Sequence, residues 1–172
     1  LGVQEGLSRA IYAALNGVHR MSADIPGLVE TSNNVARVIV KDGAIKIGCL
    51  TRSSVESSKI DLANMLRATF ELTGCEVELS GDYPGWTPNM DSSILKVLSS
   101  LYEKLNGEKA HVAACHAGLE CGILGQNYPD MDMISFGPTI KGAHSPDERA
   151  SISSAKKYWE FVLEILKEIP KK

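Results

Sequence analysis

Apolar residues recur in this chain with two periods, and the switches between them predict most of its elements. Leu7, Ile11, Leu15 and Val18 stand at helical spacing, so residues 5–20 read as one amphipathic helix, broken by Ile25-Pro26-Gly27. Val35 to Val40 is β-branched and reads as a strand. Lys41-Asp42-Gly43 is a turn signal, and Ala44 to Leu50 returns with Ile45 and Ile47 on one face. If Val40 faces Ala44, Asn34 falls opposite Leu50 or Thr51, with Arg52 directly beyond. Asn34 and Arg52 are therefore expected close together at the open end of this hairpin.

Helical spacing returns at Leu62, Met65, Leu66 and Phe70 and stops near Gly74. Cys75-Glu76-Val77-Glu78-Leu79 alternates as a third strand. Two strands, a helix and a strand are half of a ferredoxin-like α+β layer. Gly81 to Pro88, with Pro84, Gly85, Trp86 and Pro88, is the candidate boundary between domains.

Beyond it, Asp91 or Ser92 is placed to cap a helix bearing Ile94, Val97, Leu98, Leu101 and Leu105, which Asn106-Gly107 ends. His111 to Cys115 reads as a short buried strand and His116 to Gly122 as a turn or helix start. Met131 to Phe136 reads as a further strand, closed by Gly137-Pro138. Ser145-Pro146-Asp147-Glu148 fits a capping box with proline at the first helical position. The last helix carries Ala155, Trp159, Val162, Leu163, Leu166 and Ile169 on one face, and Pro170 stops it. This order of elements is that of one side of a larger α/β sheet.

Composition narrows the class. The 172 residues suffice for one ordinary domain or two small ones, and 44% hydrophobic content is globular. A net charge of −3 with interspersed signs offers no basic stripe for nucleic acid. No apolar run approaches the ~20 residues that span a bilayer. No basic segment followed by an apolar one marks a signal peptide. The first residue is Leu rather than Met, which reads as a start inside a longer product. Cys49, Cys75, Cys115 and Cys121 are scattered without a C-x-x-C pair, which suits free thiols in a reducing cytoplasm.

Several residues are candidates for chemistry, each with an ordinary alternative. His144 sits on a Gly-framed loop past one strand and before a helix, where an imidazole serves as a zinc ligand or simply faces solvent. His116 and Glu120, with Cys115 and Cys121 beside them, are either metal donors or parts of a packed turn. The Gly118 N–H is a donor for an anion. Arg52 with Asn34 suits a carboxylate, the guanidinium fork taking both oxygens, or Arg52 is a surface arginine. Asp130 and Asp132 share one side of a strand, as metal ligands or as a strand-entry turn. His19 and His111 read as helix and strand-edge residues. No nucleophile elbow, phosphate loop or dinucleotide fingerprint is present.

Longer segments carry a resemblance. His116-Ala-Gly-Leu-Glu-Cys-Gly122, Tyr128 to Pro138 and His144-Ser-Pro-Asp-Glu148 closely resemble the C-terminal end of aminoacyl-histidine (Xaa-His, or β-alanyl-histidine) dipeptidases, relatives of carnosinase. Val29 to Asn34, Cys49 to Ser53 and Gly81 to Trp86 are similar to the same family. The resemblance implies a cytoplasmic metallopeptidase with two zinc ions in its catalytic domain and an inserted lid domain that commonly mediates dimerisation. Residues 1–86 would be part of the lid, and residues 87–172 the C-terminal part of the zinc-peptidase α/β catalytic domain. Such enzymes cleave dipeptides whose second residue is histidine, carnosine among them.

By the same resemblance His144 is a zinc ligand, while Arg52, Gly118 and Asn34 bind the substrate. Closure of the lid would bring Arg52 toward His144. The remaining zinc ligands and the general-base glutamate of the family have no matching motif here. The chain is therefore expected to be a homodimer-forming fragment, inactive without the front part of its polypeptide, that touches neither nucleic acid nor membrane. Two other readings stand beside this one: a non-catalytic dimerisation or ligand-binding module, and a related aminoacylase or tripeptidase.

Overall fold

A computed structural model describes residues 2–168. In chain order the elements are α1 (Gly2–Ala13), β1 (Gly17–Met21), β2 (Val29–Lys41), β3 (Ala44–Ser53), α2 (Glu56–Glu71), α3 (Ser93–Asn106), α4 (Glu120–Asn127), β4 (Ile140–Lys141), β5 (Arg149–Ala150) and α5 (Ile152–Glu168). The fold is mixed α/β. The chain divides into two compact units. One runs to Pro88 and takes up Ala113–Pro129; the other holds Asn89–Val112 and the chain from Asp130 onward.

The first unit is built on an antiparallel sheet of order β1-β2-β3. The hairpin between β2 and β3 turns through Asp42 and Gly43, both at positive φ (51° and 76°), with Lys41 opposite Ala44. That is a two-residue turn whose twist matches that of its strands. Pairing runs from this turn to Thr31 opposite Ser53, with one irregularity: Val35 faces Cys49 and Arg37 faces Gly48. Ala36 is thus an extra residue, a β-bulge.

Because side chains alternate across a strand, this register sorts them into faces. Thr31, Asn33 and Val35 lie on one face with Ser53, Thr51 and Cys49. The core packs against this face. Ala10 and Ala14 meet Leu62, Leu66 and Phe70 of α2, with Ile11, Leu15, Val35, Ile47, Cys75 and Val77 against them. Leu62 is fully buried, and burying such a side chain stabilises the fold by roughly 2–3 kcal/mol. Buried polar groups on this face are paired. The hydroxyls of Thr31 and Ser53 share a hydrogen bond of 2.8 Å. Asn33 accepts from Thr51 Oγ1 at 3.0 Å and donates to the Leu15 carbonyl at 2.7 Å.

The first helix is shorter than its apolar spacing suggests. It ends at Ala13, and Val18 and His19 belong to β1. Asn16-Gly17 intervenes: Gly17 has φ 111°, and the Asn16 side chain accepts the Val35 N–H at 2.9 Å. That bond ties the turn to the neighbouring strand. Residues 75–79, 111–115 and 131–136, all expected as strands, form no ladder, although Cys75 and Val77 alternate onto the core. A strand needs a hydrogen-bonded neighbour, and the described residues supply none to these segments.

In the second unit α3 starts at Ser92, whose side chain accepts the Leu95 N–H at 3.1 Å, and closes at Gly107 in the left-handed conformation. Leu98 and Leu101 are buried. Tyr102 of α3 meets Phe161 of α5 edge to face, ring centres 5.7 Å apart, and Phe136 stacks obliquely on Tyr158. The other side of α5 is different. Ile152, Trp159, Leu163 and Leu166 follow one another at helical spacing and are exposed, Trp159 by 60%. A helix apolar on more than one face is built for burial in a larger body. Ile169 and Pro170, expected to complete and stop this helix, lie outside the described residues.

Candidate functional site

The outer face of the three-stranded sheet carries a row of residues set by the ladders. Val18 faces Ser32, and Ser32 faces Arg52; two residues along, Asn34 faces Leu50. An open cleft of about 350 Å³ counts Val18, Ser32, Asn34, Leu50, Arg52 and His116 among its lining residues. Arg52 and Asn34, paired in expectation, do share this cleft, one step apart on the diagonal of the ladder. Arg52 is exposed and makes no ion pair among the described residues. Arg37, Lys46 and Arg67 of the same unit likewise make no ion pair among the described residues, whereas Arg20 and Lys59 are engaged. Arg20 bonds Ser58 at 3.1 Å, and Lys59 meets Asp82 at 2.6 Å and Glu56 at 2.9 Å. A guanidinium with five donors and no acidic partner among the described residues can donate to both oxygens of a carboxylate.

His116 closes one side of the cleft. Its Nε2 lies 2.8 Å from the Ser32 hydroxyl. Burial, and after it the charge of Arg52, hold the imidazole below its ordinary pKa. Of the two readings of His116 and Glu120, no metal site forms among the described residues. His116 precedes α4, and its ring is engaged with β2. Gly118 would break a helix there, and the sheet offers the imidazole a hydroxyl partner that a local reading does not contain.

Gly118 follows two residues later, at a close approach. A β-carbon built on it would stand 2.5 Å from the Tyr83 ring, so only glycine fits under this tyrosine. Tyr83 belongs to the Pro- and Gly-rich segment after residue 80, and that segment is tied down. Lys59 donates to Asp82 and to the Tyr83 carbonyl (2.7 Å), Glu56 accepts the Gly85 N–H (3.0 Å), and Thr87 donates to the Ser54 carbonyl (3.0 Å). Burial opposes the charge on Lys59, but its bonds to Asp82 and Glu56 outweigh that and raise its pKa.

His144 is in the second unit, on the loop between β4 and β5 rather than between a strand and a helix. The capping box expected at Ser145–Glu148 opens no helix. Its parts close the loop instead. Glu148 accepts the His144 N–H at 2.8 Å, and Ser145 donates to the Gly142 carbonyl at 2.7 Å. Helix α5 starts later, after Ser151, whose hydroxyl accepts the Ser154 N–H. His144 holds φ 62°, a conformation uncommon for a residue with a β-carbon. The loop thus fixes the backbone of an exposed imidazole.

Of the two aspartates that flank Met131, Asp132 is engaged. Asp132 accepts from the Ser93 N–H (2.8 Å), the Ile94 N–H (3.1 Å) and the Ser93 hydroxyl (3.1 Å), capping α3. The Ser92 hydroxyl and these backbone donors lower its pKa. All four cysteines are free thiols. Among the described residues no three His, Cys, Asp or Glu side chains converge as a metal site. A catalytic zinc takes three protein ligands. The described residues therefore do not by themselves form such a site.

Comparison with known proteins decides what scaffold this is. Residues 5–168 match the model of peptidase family M20/M25/M40. The chain belongs to that family. Within this peptidase family it is 43% identical, over 164 residues, to the cytosol non-specific dipeptidase of Escherichia coli, covering 95% of this chain and 34% of that protein. The crystal structure of aminoacylhistidine dipeptidase from Vibrio alginolyticus superposes with a TM-score of 0.84 at 41% identity, covering all of this chain and 35% of that one. Aminopeptidase PepT from Bacillus cereus shares the fold (TM-score 0.75) at 17% identity, with 98% of this chain and 45% of that one covered. This M20/M25/M40 chain thus spans about a third of the dipeptidases it matches.

Proposed function

We propose that this chain supplies the carboxylate-binding cleft and one metal ligand of a metal-dependent dipeptidase that hydrolyses Xaa-His dipeptides of the carnosine type. The observation that carries the reading is the unpaired Arg52 guanidinium, beside Asn34, in a cleft of a peptidase-family chain. Arg52 takes the C-terminal carboxylate of the substrate through its fork, Asn34 adds an amide donor, and the Gly118 N–H contacts the substrate backbone. His144 gives one ligand to a centre of two zinc ions. The other ligands and the general base come from regions of the full-length protein that the matched third does not include. The preference for histidine follows the name of the Vibrio dipeptidase; the name of the Escherichia coli dipeptidase favours a wider range of dipeptides.

For the full-length protein we infer a homodimer working in the cytoplasm. Val38, Val40 and Ile45, exposed together near the tip of the long hairpin, offer an apolar surface for a second copy. The 172-residue chain alone is expected to hydrolyse nothing.

The test is Arg52→Ala in the metal-loaded full-length protein, assayed on a panel of Xaa-His and other dipeptides. Removing one member of a hydrogen-bonded charge pair costs about 2 kcal/mol or more, so kcat/KM falls by a factor of ~30 or more. An unchanged kcat/KM overturns the carboxylate clamp. Equal rates on all dipeptides overturn the histidine preference alone.

A further inference from the structure

The cleft holds two groups that this assignment leaves without a role. Ser32 stands directly opposite Arg52 in the ladder, on the same face of the sheet. Directly opposed residues have β-carbons roughly 5 Å apart. Ser32 and Arg52 both line the same cleft. The Ser32 hydroxyl has one proton to donate and two lone pairs to accept with. Its one side-chain partner among the described residues is His116 Nε2, at 2.8 Å.

The direction of that bond decides what the hydroxyl can do. If the ring accepts, the Ser32 proton is used up and the cleft gains nothing. If the ring donates through Nε2–H, the hydroxyl accepts, and its own proton remains free to point at a ligand. A neutral imidazole provides one N–H, and either nitrogen can carry it. An anion on Arg52 selects the second arrangement, since only then does the hydroxyl present a proton to it. Thr31 and Ser53, on the opposite face, show the contrasting case: their hydroxyls satisfy each other and are buried.

We infer that Ser32 is a third donor to the substrate carboxylate held by Arg52, and that His116 is the positioning residue that aims the Ser32 hydroxyl at it. The ligand class is a small molecule with a free α-carboxylate, which a C-terminal dipeptide residue provides. The His116–Ser32 bond has a second effect. It spans 84 residues of sequence and fastens the segment bearing Gly118 to the strand that faces Arg52. Two parts of the cleft are thereby held in one geometry.

The inference rests on the carboxylate reading of the cleft, and the experiment separates the two. The full-length protein is compared with its Ser32→Ala, Ser32→Thr, His116→Ala, His116→Gln and Arg52→Ala variants. Read-outs are KM and kcat for a dipeptide, and calorimetric affinity for the free C-terminal product amino acid. A hydrogen bond to a charged group supports about a tenfold effect. Ser32→Ala and His116→Ala are each expected to raise KM and the product Kd about tenfold with kcat little changed. Together they cost no more than either alone. Ser32→Thr keeps the hydroxyl, and His116→Gln keeps an N–H donor, so both recover most of the loss. A merely structural role for His116 would not be rescued by a ligand-specific donor. If Arg52→Ala raises KM while Ser32→Ala does not, the inference is overturned and the carboxylate reading stands. If Arg52→Ala also leaves KM unchanged, both fall.

Discussion

Gly118 lies beneath Tyr83 with no room for a methyl group: a β-carbon there would stand 2.5 Å from one ring carbon and 2.8 Å from the next. Tyr83 cannot yield easily, because Lys59 holds its carbonyl and Asp82, and Glu56 holds the Gly85 N–H. Gly118→Ala is therefore expected to destabilise the protein by about 1–3 kcal/mol, the range for overpacking a tight site. Thermal unfolding measures it. Adding Tyr83→Ala should return part of the loss; if the double variant is no better than the sum of the two singles, the clash is not with the ring.

The His116 imidazole should titrate below the ordinary value of about 6.5, because burial and then Arg52 disfavour its charged form. In the window between that value and the lower folded one, the unfolded chain binds the proton more readily. The contribution of neutral His116 to stability is thus complete above the window and declines as pH falls through it. NMR titration of the ring reads the midpoint directly. Arg52→Gln should move the midpoint upward while leaving it below 6.5, since burial is the larger cause. An unmoved midpoint would mean that the guanidinium does not face the ring.

Leu62 is the most completely buried apolar side chain of the first unit. Leu62→Ala is expected to cost about 2–5 kcal/mol, read as a shift in denaturant midpoint with unchanged slope. Met65, on the same helix and 44% exposed, should tolerate alanine with a far smaller shift. Similar losses at the two positions would contradict the packing of α2.

Asp132 ties itself to the start of α3, and its pKa is depressed. The sign follows: its stabilisation is present above the unfolded carboxylate value of about 3.9 and is lost as pH falls through the folded pKa. Asp132→Asn should lower the melting temperature at neutral pH and flatten its dependence on pH at the acid end. Hydrogen exchange of the Ser93 and Ile94 amides should quicken. If those amides are indifferent to the substitution, the cap is not what holds them.

Local chemistry made the hairpin and the caps readable. Lys41-Asp42-Gly43 announces the turn, but the expected pairing of Val40 with Ala44 is one residue off: Lys41 faces Ala44, and only the bulge at Ala36 offsets the difference so that Asn34 faces Leu50. Ser92 and Gly107 mark both ends of α3. Strand β1 was hidden because Val18 continues the helical spacing of Leu7, Ile11 and Leu15, while Asn16-Gly17 is the signal that overrides it. Segments 75–79, 111–115 and 131–136 have the pattern of strands without neighbours to pair with, and pattern alone cannot supply a neighbour.

The candidate site was legible to the same degree. Arg52 and Asn34 follow from hairpin register. The partnership of His116 with Ser32 does not, since it joins residues 84 apart in sequence. The trace of it in the sequence is that the register setting Asn34 against Leu50 also sets Ser32 against Arg52. The loop that carries His144 lies between β4 and β5 instead of opening a helix. The pattern S-P-D-E, which usually opens a helix, here folds its glutamate back onto the histidine amide.

The bulge at Ala36 divides the long hairpin into two independently phased halves. Nearer the cleft the odd-numbered residues of β2 face the helices; past Ala36 the even-numbered ones, Val38 and Val40, take that side. Lengthening, shortening or re-surfacing the distal half therefore leaves Ser32, Asn34 and Arg52 in phase. Evolution can redesign how the arm meets another molecule without retuning the grip on a ligand.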